Sequence, residues 1–591
     1  MSEQVLNISM QRYNTWLESG KLTEEEKKEL LEIKDNTDEI KQRFCSYLSF
    51  GTAGLRGTMA MGTNNMNIHT VCHASQGFAD YIKSCGINDA AERGIVIAYD
   101  SRLNSEKFAH ATAAVMANAG IKVFLFDGIR PTPELSFAVR RLGTVAGVNI
   151  TASHNPKQYN GYKAYWEDGA QLGPEQADAV SEKIINTDIF KEVKFSDGDY
   201  ERAVESGKIT LIGSEIDEDF LAQVAKQPIC PDVVKKAADD LKIVYTPLYG
   251  TGYKLVPEAM RRLGIKNIYT VDEQMTPDGN FPTTPFPNPE LPQVFELAIK
   301  LADEKGVDII IGNDPDADRT GVMIRDGNGK FMTLSGNQIG AMLLDYIISA
   351  KKEFGSFPEN AFAVKTIVST DIVTKMCSIH GVKLYDVLTG FKFIGKVVSD
   401  YETETGRSAD KDFLLGFEES NGYMRGTYLR DKDAVCSTVL LCEMAAYYQI
   451  HGKTLYDALC DMYNRYGLYK EHTSNIYMEG LDGLARMKAL MERLHSNIPS
   501  ELGGEKIRFL RDYLAETITD IKTGNKTGTG LPKSDVLLYE TENGNKIVIR
   551  PSGTEPKIKI YYLLHSESGN QAELDSLLDA CIKSMKELTQ I

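Results

Sequence analysis

The chain is expected to be an α/β protein of four domains: three related mixed-sheet α/β domains and a C-terminal antiparallel α+β domain. Three observations lead there. From Gly94 onward β-like and helical segments alternate, which argues for mostly parallel sheets covered by helices. One short unit occurs three times: Gly120-Ile-Lys-Val-Phe-Leu-Phe, Gly264-Ile-Lys-Asn-Ile-Tyr-Thr-Val and Gly381-Val-Lys-Leu-Tyr-Asp-Val each read as a helix-ending glycine followed by a strand. Each copy follows an earlier apolar strand, at residues 95–99, 243–245 and 362–368. Beyond Val536 the pattern changes to short β-like runs closed by one helix. The expected domain limits are 1–205, 206–325, 326–450 and 451–591.

Taken in order, residues 1–48 read as solvated helices, with Thr23 and Glu26 spaced as a capping box and Leu30, Leu31 and Ile33 as a short apolar face. Phe50-Gly-Thr-Ala-Gly-Leu-Arg-Gly57 gathers three glycines around Arg56, a composition that lets backbone N–H groups approach an anion closely. Residues 95–99 form a strand, 104–119 a helix and 121–126 a strand, and a further apolar run through Val148 and Ile150 reads as the next strand. The polar stretch 185–232 is expected to be a helical insertion, and 455–494 a helical connector. In the last domain 536–539, 546–549 and 557–563 are β-like, the first two joined by Glu542-Asn-Gly-Asn545, and 573–588 is the closing helix.

Composition excludes several classes. With 591 residues, 42% hydrophobic and 25% charged, the chain can bury large cores without staples. No apolar run is long enough to span a bilayer, and the first thirty residues lack the apolar core of a signal peptide, so a cytoplasmic protein with no membrane partner is expected. Nine scattered cysteines without a CxxC pair argue against a disulfide framework or a zinc site. A net charge of −17 argues against nucleic acid, and an anionic ligand would have to be met by a local basic cluster.

Four stretches carry chemistry. Thr151-Ala-Ser-His-Asn-Pro156 puts the Ser153 hydroxyl on a loop at a strand end, with His154 beside it and Lys163 beyond the Asn160-Gly161 turn. Ser153 is a candidate nucleophile or phosphoryl carrier. After the strand 307–311, Asp314, Asp316 and Asp318 stand at alternate positions. Three such acids repel one another unless a cation sits among them, and hard oxygen ligands suit Mg2+ or Ca2+. A strand leads into the loop and no Glu closes a loop of twelve, which favours Mg2+ over an EF-hand. Arg319 adds a cation that could face the same phosphate. Gly416-Phe-Glu-Glu-Ser-Asn-Gly-Tyr423 offers Glu418 and Ser420 to neighbouring sugar hydroxyls, and Thr389-Gly-Phe-Lys392 lies in a similar setting. Arg550-Pro-Ser-Gly-Thr-Glu-Pro-Lys557 gathers a guanidinium, two hydroxyls and a glycine, enough to encircle a dianionic phosphate.

In this order these stretches resemble the α-D-phosphohexomutases, the superfamily of phosphoglucomutase and phosphomannomutase, from about residue 45 to the C-terminus. The resemblance implies four domains around a central cleft, each giving a loop to the site. It implies that Ser153 carries the phosphoryl group and that Mg2+ is held by the phosphoserine, Asp314, Asp316 and Asp318. Lys163 and His154 match positions of proton transfer and support, and Arg56 falls in the catalytic group. Arg319, Lys392, Glu418 and Ser420 would bind the sugar phosphate, and Arg550, Ser552, Gly553 and Thr554 the phosphate that is not being transferred. The sugar loop lacks the histidine of the Glu-Met-Ser-Gly-His pattern of many short bacterial phosphomannomutases and, with the chain length, is more similar to the longer branch that also contains phosphopentomutases. The implied activity is interconversion of glucose 1-phosphate and glucose 6-phosphate, with glucose 1,6-bisphosphate as intermediate and activator, in a monomer or dimer. Mannose and pentose phosphates are the alternative substrates, and a catalytically silent sugar-phosphate-binding protein is the alternative of another class.

Overall fold

The computed structural model describes residues 2–51, 54–478, 483–552, 557–566 and 569–590. The chain divides into two compact units, one of residues up to 334 with 395–410 and 421–451, the other of 335–394, 411–420 and 452 onward. Among the described residues no helix is long and apolar enough to cross a membrane.

The first unit holds two mixed sheets built on one plan. Ile95–Tyr99, buried at every position, pairs in parallel with Val123–Phe126 on one side and Ala146–Ile150 on the other. Lys242–Thr246 stands in the same relation to Asn267–Thr270 and Ile309–Asn313. Antiparallel strands extend each sheet, Tyr159–Trp166 and Leu55–Thr58 in the first, Thr320–Arg325 and Phe331–Leu334 in the second. The three helices Ser2–Glu18, Glu24–Glu32 and Thr37–Phe44 gather Tyr13, Trp16, Leu22, Leu30, Ile40, Phe44 and Met61 into a core of their own, so they are packed more tightly than a solvated face requires. The Thr23–Glu26 capping box is formed.

In the second unit Phe362–Thr366 pairs in parallel with Lys383–Val387 and with Phe413–Glu418. The three glycines of the repeated unit, Gly120, Gly264 and Gly381, have φ of 84°, 107° and 69°, the left-handed conformation that ends each helix before its strand. In all three copies the chain leaves its central strand in one direction and comes back on the other side. Loops after the returning strand therefore emerge where the strand order reverses, the place where α/β sheets bind ligands. Those loops begin with Thr151, Asp314 and Glu419.

The rest of the second unit is an antiparallel sheet in the order 468–477, 557–566, 546–551, 537–541, 505–512, 517–520, 526–528. Its central strands 546–551 and 557–566 are buried on both faces, and their side chains alternate between the two. Ile547, Ile549, Ile558, Ile560 and Leu564 face the helices Gly483–Ser496 and Gln571–Thr589, while Val548, Tyr561 and Leu563 pack with Ile367, Val368 and Leu388, just beyond the ends of the parallel strands. Beside that contact, Lys365 is buried between Asp371 and Asp386 at 3.2 and 3.1 Å, and Lys546 reaches Asp371 at 2.8 Å.

Two expectations are corrected. The stretch 185–232 is not a helical insertion throughout: Ile209–Ile212 adds a parallel strand to the first sheet beside Val123–Phe126. Only Ile209 and Ile212 of its four residues are buried, too short a signal to separate from the flanking helices. Nor is 455–494 a helical connector. Leu468–Tyr477 is a ten-residue strand paired along its length with Lys557–Ser566, and its polar composition suits the outermost position in the sheet. The strands Glu505–Asp512, Thr517–Asp520 and Lys526–Gly528 were not anticipated either.

Candidate active site

Ser153 stands on the loop after Ala146–Ile150 with φ of +51°, a left-handed conformation that costs a non-glycine residue about 1 kcal/mol. The surroundings hold it there. Its N–H donates to the Thr151 hydroxyl at 2.8 Å, and that hydroxyl donates to Asp100 at 2.6 Å. Arg102, buried, donates through Nη2 to the carbonyls of Ser153 and Asn155 and through Nη1 to those of Pro156 and Tyr159 at 2.9 and 3.2 Å. Asp100 faces the same guanidinium at 3.3 Å. Replacing Arg102 with methionine is expected to lower kcat about 100-fold through misplacement of the loop. Amide exchange at 153–159 should quicken, and kcat within twofold of wild type would show that the loop holds without this arginine.

The loop meets the aspartates. Ser153 Oγ donates to Asp314 Oδ2 at 2.6 Å, with His154 Nδ1 at 3.3 Å. Asp314 Oδ1 accepts the N–H groups of Asp318 and Arg319 at 3.1 and 3.0 Å. Lys163 Nζ donates to Asp316 Oδ2 at 2.6 Å and Asp318 Oδ2 at 2.9 Å. The three carboxylates are buried, and each offers one oxygen within 4.8 Å of the others. Asp316 Oδ1 and Asp318 Oδ1 are buried without a hydrogen-bond partner among the described residues. Arg319 Nε stands 3.9 Å from Asp318 Oδ1, and an all-oxygen set with two carboxylate oxygens outside any hydrogen bond fits a hard divalent cation.

Electrostatics divide the groups. Burial and the neighbouring Asp318 and Asp316 push the Asp314 carboxyl well up. Burial works in the same direction on Asp318, but Lys163, Lys432 and Arg319 outweigh it and hold that carboxyl below its usual range. Lys163 stays an ammonium because Asp316 and Asp318 more than offset its desolvation. Burial, then Arg319 and Arg56, keep the His154 imidazole neutral.

Arg56 lies on Leu55–Thr58 opposite Gly161 and donates to Asn155 Oδ1 at 3.2 Å, so it reaches the serine loop. Gly54 before it could not be another residue: a Cβ there would stand 1.7 Å from the Tyr162 carbonyl oxygen. Thr52 and Ala53 of that loop lie outside the described residues. Arg319 is held by Glu290 at 2.8 Å.

In the second unit, Glu418 ends its strand and accepts the Gly390 N–H at 2.9 Å, which joins the 389–392 stretch to the 418–423 turn. Lys392 is on the first turn of the helix Phe391–Thr405, not on a loop, and burial lowers its ammonium to about 8. Ser420 is partly exposed in the turn after the strand. Arg550 ends Lys546–Pro551 opposite Lys559, and the Ser552 N–H donates to the Lys557 carbonyl at 2.8 Å. Gly553 and Thr554 lie outside the described residues.

Sequence reasoning missed several neighbours. Lys432 reaches Asp318 Oδ2 at 3.2 Å and Asp431 at 3.5 Å, and Tyr165 donates to Asp431 at 2.9 Å. The charged run Arg430-Asp-Lys-Asp433 was its available signal. Arg102 follows strand 95–99 in Tyr99-Asp-Ser-Arg102, a strand-end loop like that of Ser153. Glu419 also went unnoticed; burial, then Glu418, push its carboxyl up to about 7.

Comparison with known proteins gives a consistent picture. Families described as phosphoglucomutase/phosphomannomutase alpha/beta/alpha domains I, II and III match residues 47–190, 218–327 and 335–466. The chain is 36% identical over 556 residues to a phosphoglucomutase of Staphylococcus saprophyticus, covering 94% of this chain and 96% of that one. It is 35% identical over 543 residues to that of Staphylococcus haemolyticus, covering 90% and 93%. Among solved structures, the phosphoglucomutase parafusin of Paramecium, in an open form, aligns with a TM-score of 0.65 at 15% identity over 92% of this chain and 95% of that one. A phosphoglucomutase/phosphomannomutase family protein of Burkholderia thailandensis aligns at 0.63 and 17% over 91% and 97%.

Proposed function

Because the chain belongs to the phosphoglucomutase/phosphomannomutase family, whose members are phosphohexomutases of the isomerase class, we propose that it interconverts glucose 1-phosphate and glucose 6-phosphate through a phosphoserine at Ser153. Glucose 1,6-bisphosphate is the intermediate and activator of that cycle. The observation that carries the reading is the Ser153 hydroxyl, 2.6 Å from Asp314 at the edge of the buried aspartate triad. Asp314, Asp316, Asp318 and the phosphoserine would hold Mg2+, which when bound supplies positive charge to the oxygens of the transferring phosphoryl group.

The chain's own groups do the rest. As the phosphorus–Oγ bond breaks and the bond to the free sugar hydroxyl forms, Oγ gains a proton and the hydroxyl loses one. Lys163, held as an ammonium, is the group assigned to that exchange, and neutral His154 supports the serine oxygen. Arg56 and Arg319 add charge stabilisation beside the loop. Glu418 and Ser420 suit adjacent sugar hydroxyls, and Lys392, Arg550 and Ser552 the phosphate that stays. Gly553 and Thr554 join that loop by sequence. The bisphosphate must turn end over end between transfers, so the same groups grip a phosphate at either end of the sugar. A reducing compartment, the cytoplasm, suits nine cysteines outside any disulfide and phosphorylated substrates. Monomer and dimer are both compatible with this chemistry.

The test is a coupled assay of glucose, mannose and ribose 1-phosphates compared by kcat/KM, with free phosphate measured alongside. Glucose 1-phosphate is expected to lead by at least about tenfold. Equal values would remove the substrate assignment, and phosphate release in place of isomerised product would make the enzyme a phosphatase.

Lys392 adds a pH signature. Its ammonium is lost above about 8, so KM for the sugar phosphate should rise as pH passes that value. Lys392→Arg should abolish the rise. A KM flat from about pH 7 to about pH 9.5 would take Lys392 out of the binding site.

A further inference from the structure

Asp316 is held differently from its two neighbours. Its backbone carbonyl accepts the Thr132 N–H at 2.8 Å, and its Oδ2 accepts the Thr132 hydroxyl at 2.6 Å. Thr132 opens the helix Thr132–Leu142, whose first-turn N–H groups have no partner within the helix, so one of them is satisfied by the aspartate loop. The Thr132 oxygen in turn lies 2.7 Å from Asn149 Nδ2, on the strand that leads to Ser153. Thr132, Asn149 and Asp316 are each 0% exposed.

The direction of this chain of hydrogen bonds is fixed by chemistry. The Asn149 amide N–H can only donate, so it donates to the Thr132 oxygen and the Thr132 O–H is left to point at Asp316. With Lys163 on the same oxygen at 2.6 Å, Asp316 Oδ2 is saturated and the carboxylate cannot rotate without breaking two hydrogen bonds. The other oxygen, Oδ1, is the bare one.

We propose that Thr132, oriented by Asn149, is a positioning residue that selects which oxygen of Asp316 faces the divalent cation, and so couples the strand of the phosphoserine to the metal loop. This rests on the reading of the aspartate triad as a metal site. Partners that orient a ligand in this way commonly contribute 10–100-fold to metal affinity.

The test is titration of the full-length protein with Mn2+ by calorimetry. Thr132→Val, nearly the same shape without the hydroxyl, should weaken Mn2+ binding at least about tenfold, and Thr132→Ser should restore it to within about threefold. Asn149→Ala should weaken it in the same direction. In Thr132→Val, saturating Mn2+ should recover most of the lost kcat, although the Asn149 amide left without its acceptor lowers the urea midpoint. Mn2+ affinity equal in wild type and Thr132→Val would overturn the proposal and leave the metal site standing. A wild-type protein that binds no Mn2+ would overturn the metal reading and the relay with it. Loss of binding in Thr132→Ser as severe as in Thr132→Val would also count against the relay, because the hydroxyl is then not what matters.

Discussion

Ser153→Ala is expected to lower turnover of glucose 1-phosphate by at least about 10⁴-fold, the scale on which removal of a covalent carrier acts. The protein should remain folded. Alanine and serine carry the same cost at a φ of +51°, and the loop's other ties, from Arg102 to the carbonyls of 153, 155, 156 and 159, do not involve the hydroxyl. Asp314 loses one donor but keeps the N–H groups of Asp318 and Arg319. Incubation with glucose 1,6-bisphosphate should add one phosphoryl group to the wild-type chain and none to the variant, read by intact mass. A variant that still isomerises at a tenth of the wild-type rate would put the phosphoryl group elsewhere.

The parts of the site that could be read in the sequence are those written contiguously. Ser153, the three aspartates, Glu418 and the Arg550 loop each follow a β-like run, and the repeated glycine units announced that the three α/β sheets share a plan. What escaped are pairings between distant positions. Lys432 meets Asp318 across more than a hundred residues, and Arg102 and Thr132 act through contacts with loops that local pattern does not bring near. Strand 468–477 escaped for a different reason. Its Lys-Glu-His-Thr-Ser-Asn core has neither strand nor helix periodicity, and only its partner 557–566 makes it a strand. Strand 209–212 has just two buried residues, so its identity comes from the sheet edge it completes. Its neighbour 123–126 was legible because three of its four residues are buried.

Removal of the divalent metal should stop phosphoryl transfer in a protein that remains folded and phosphorylated. The electrostatics of the pocket require it. Asp314, Asp316 and Asp318 offer oxygens within 4.8 Å of one another, and two like charges at about 4 Å repel by about 4 kcal/mol at an effective dielectric constant near 20, a crowding that with burial pushes the Asp314 carboxyl well up when no cation is bound. Lys163, Lys432 and Arg319 offset the triad, but Arg319 is shared with Glu290 and Lys432 with Asp431. A phosphoserine would bring a further charge of about −2 into the same pocket. Buried Arg102 also acts on Asp316 and Asp314, but it is already committed to Asp100 and to the carbonyls of the serine loop. The phosphoenzyme should therefore bind the cation more tightly than the dephosphorylated form, and chelation should slow transfer to glucose 6-phosphate by at least about a thousandfold, several kcal/mol of lost charge stabilisation. Asp318→Asn should reproduce part of that loss while also freeing Lys163 and Lys432 of one partner. Both effects are measurable by quenched-flow transfer from phosphorylated enzyme in excess EDTA, with Mg2+ added back as the control. A phosphoenzyme that passes its phosphoryl group on at an undiminished rate in EDTA would show that Lys163, Lys432 and the arginines meet the charge alone, and the oxygens of Asp316 and Asp318 outside any hydrogen bond would then need another explanation.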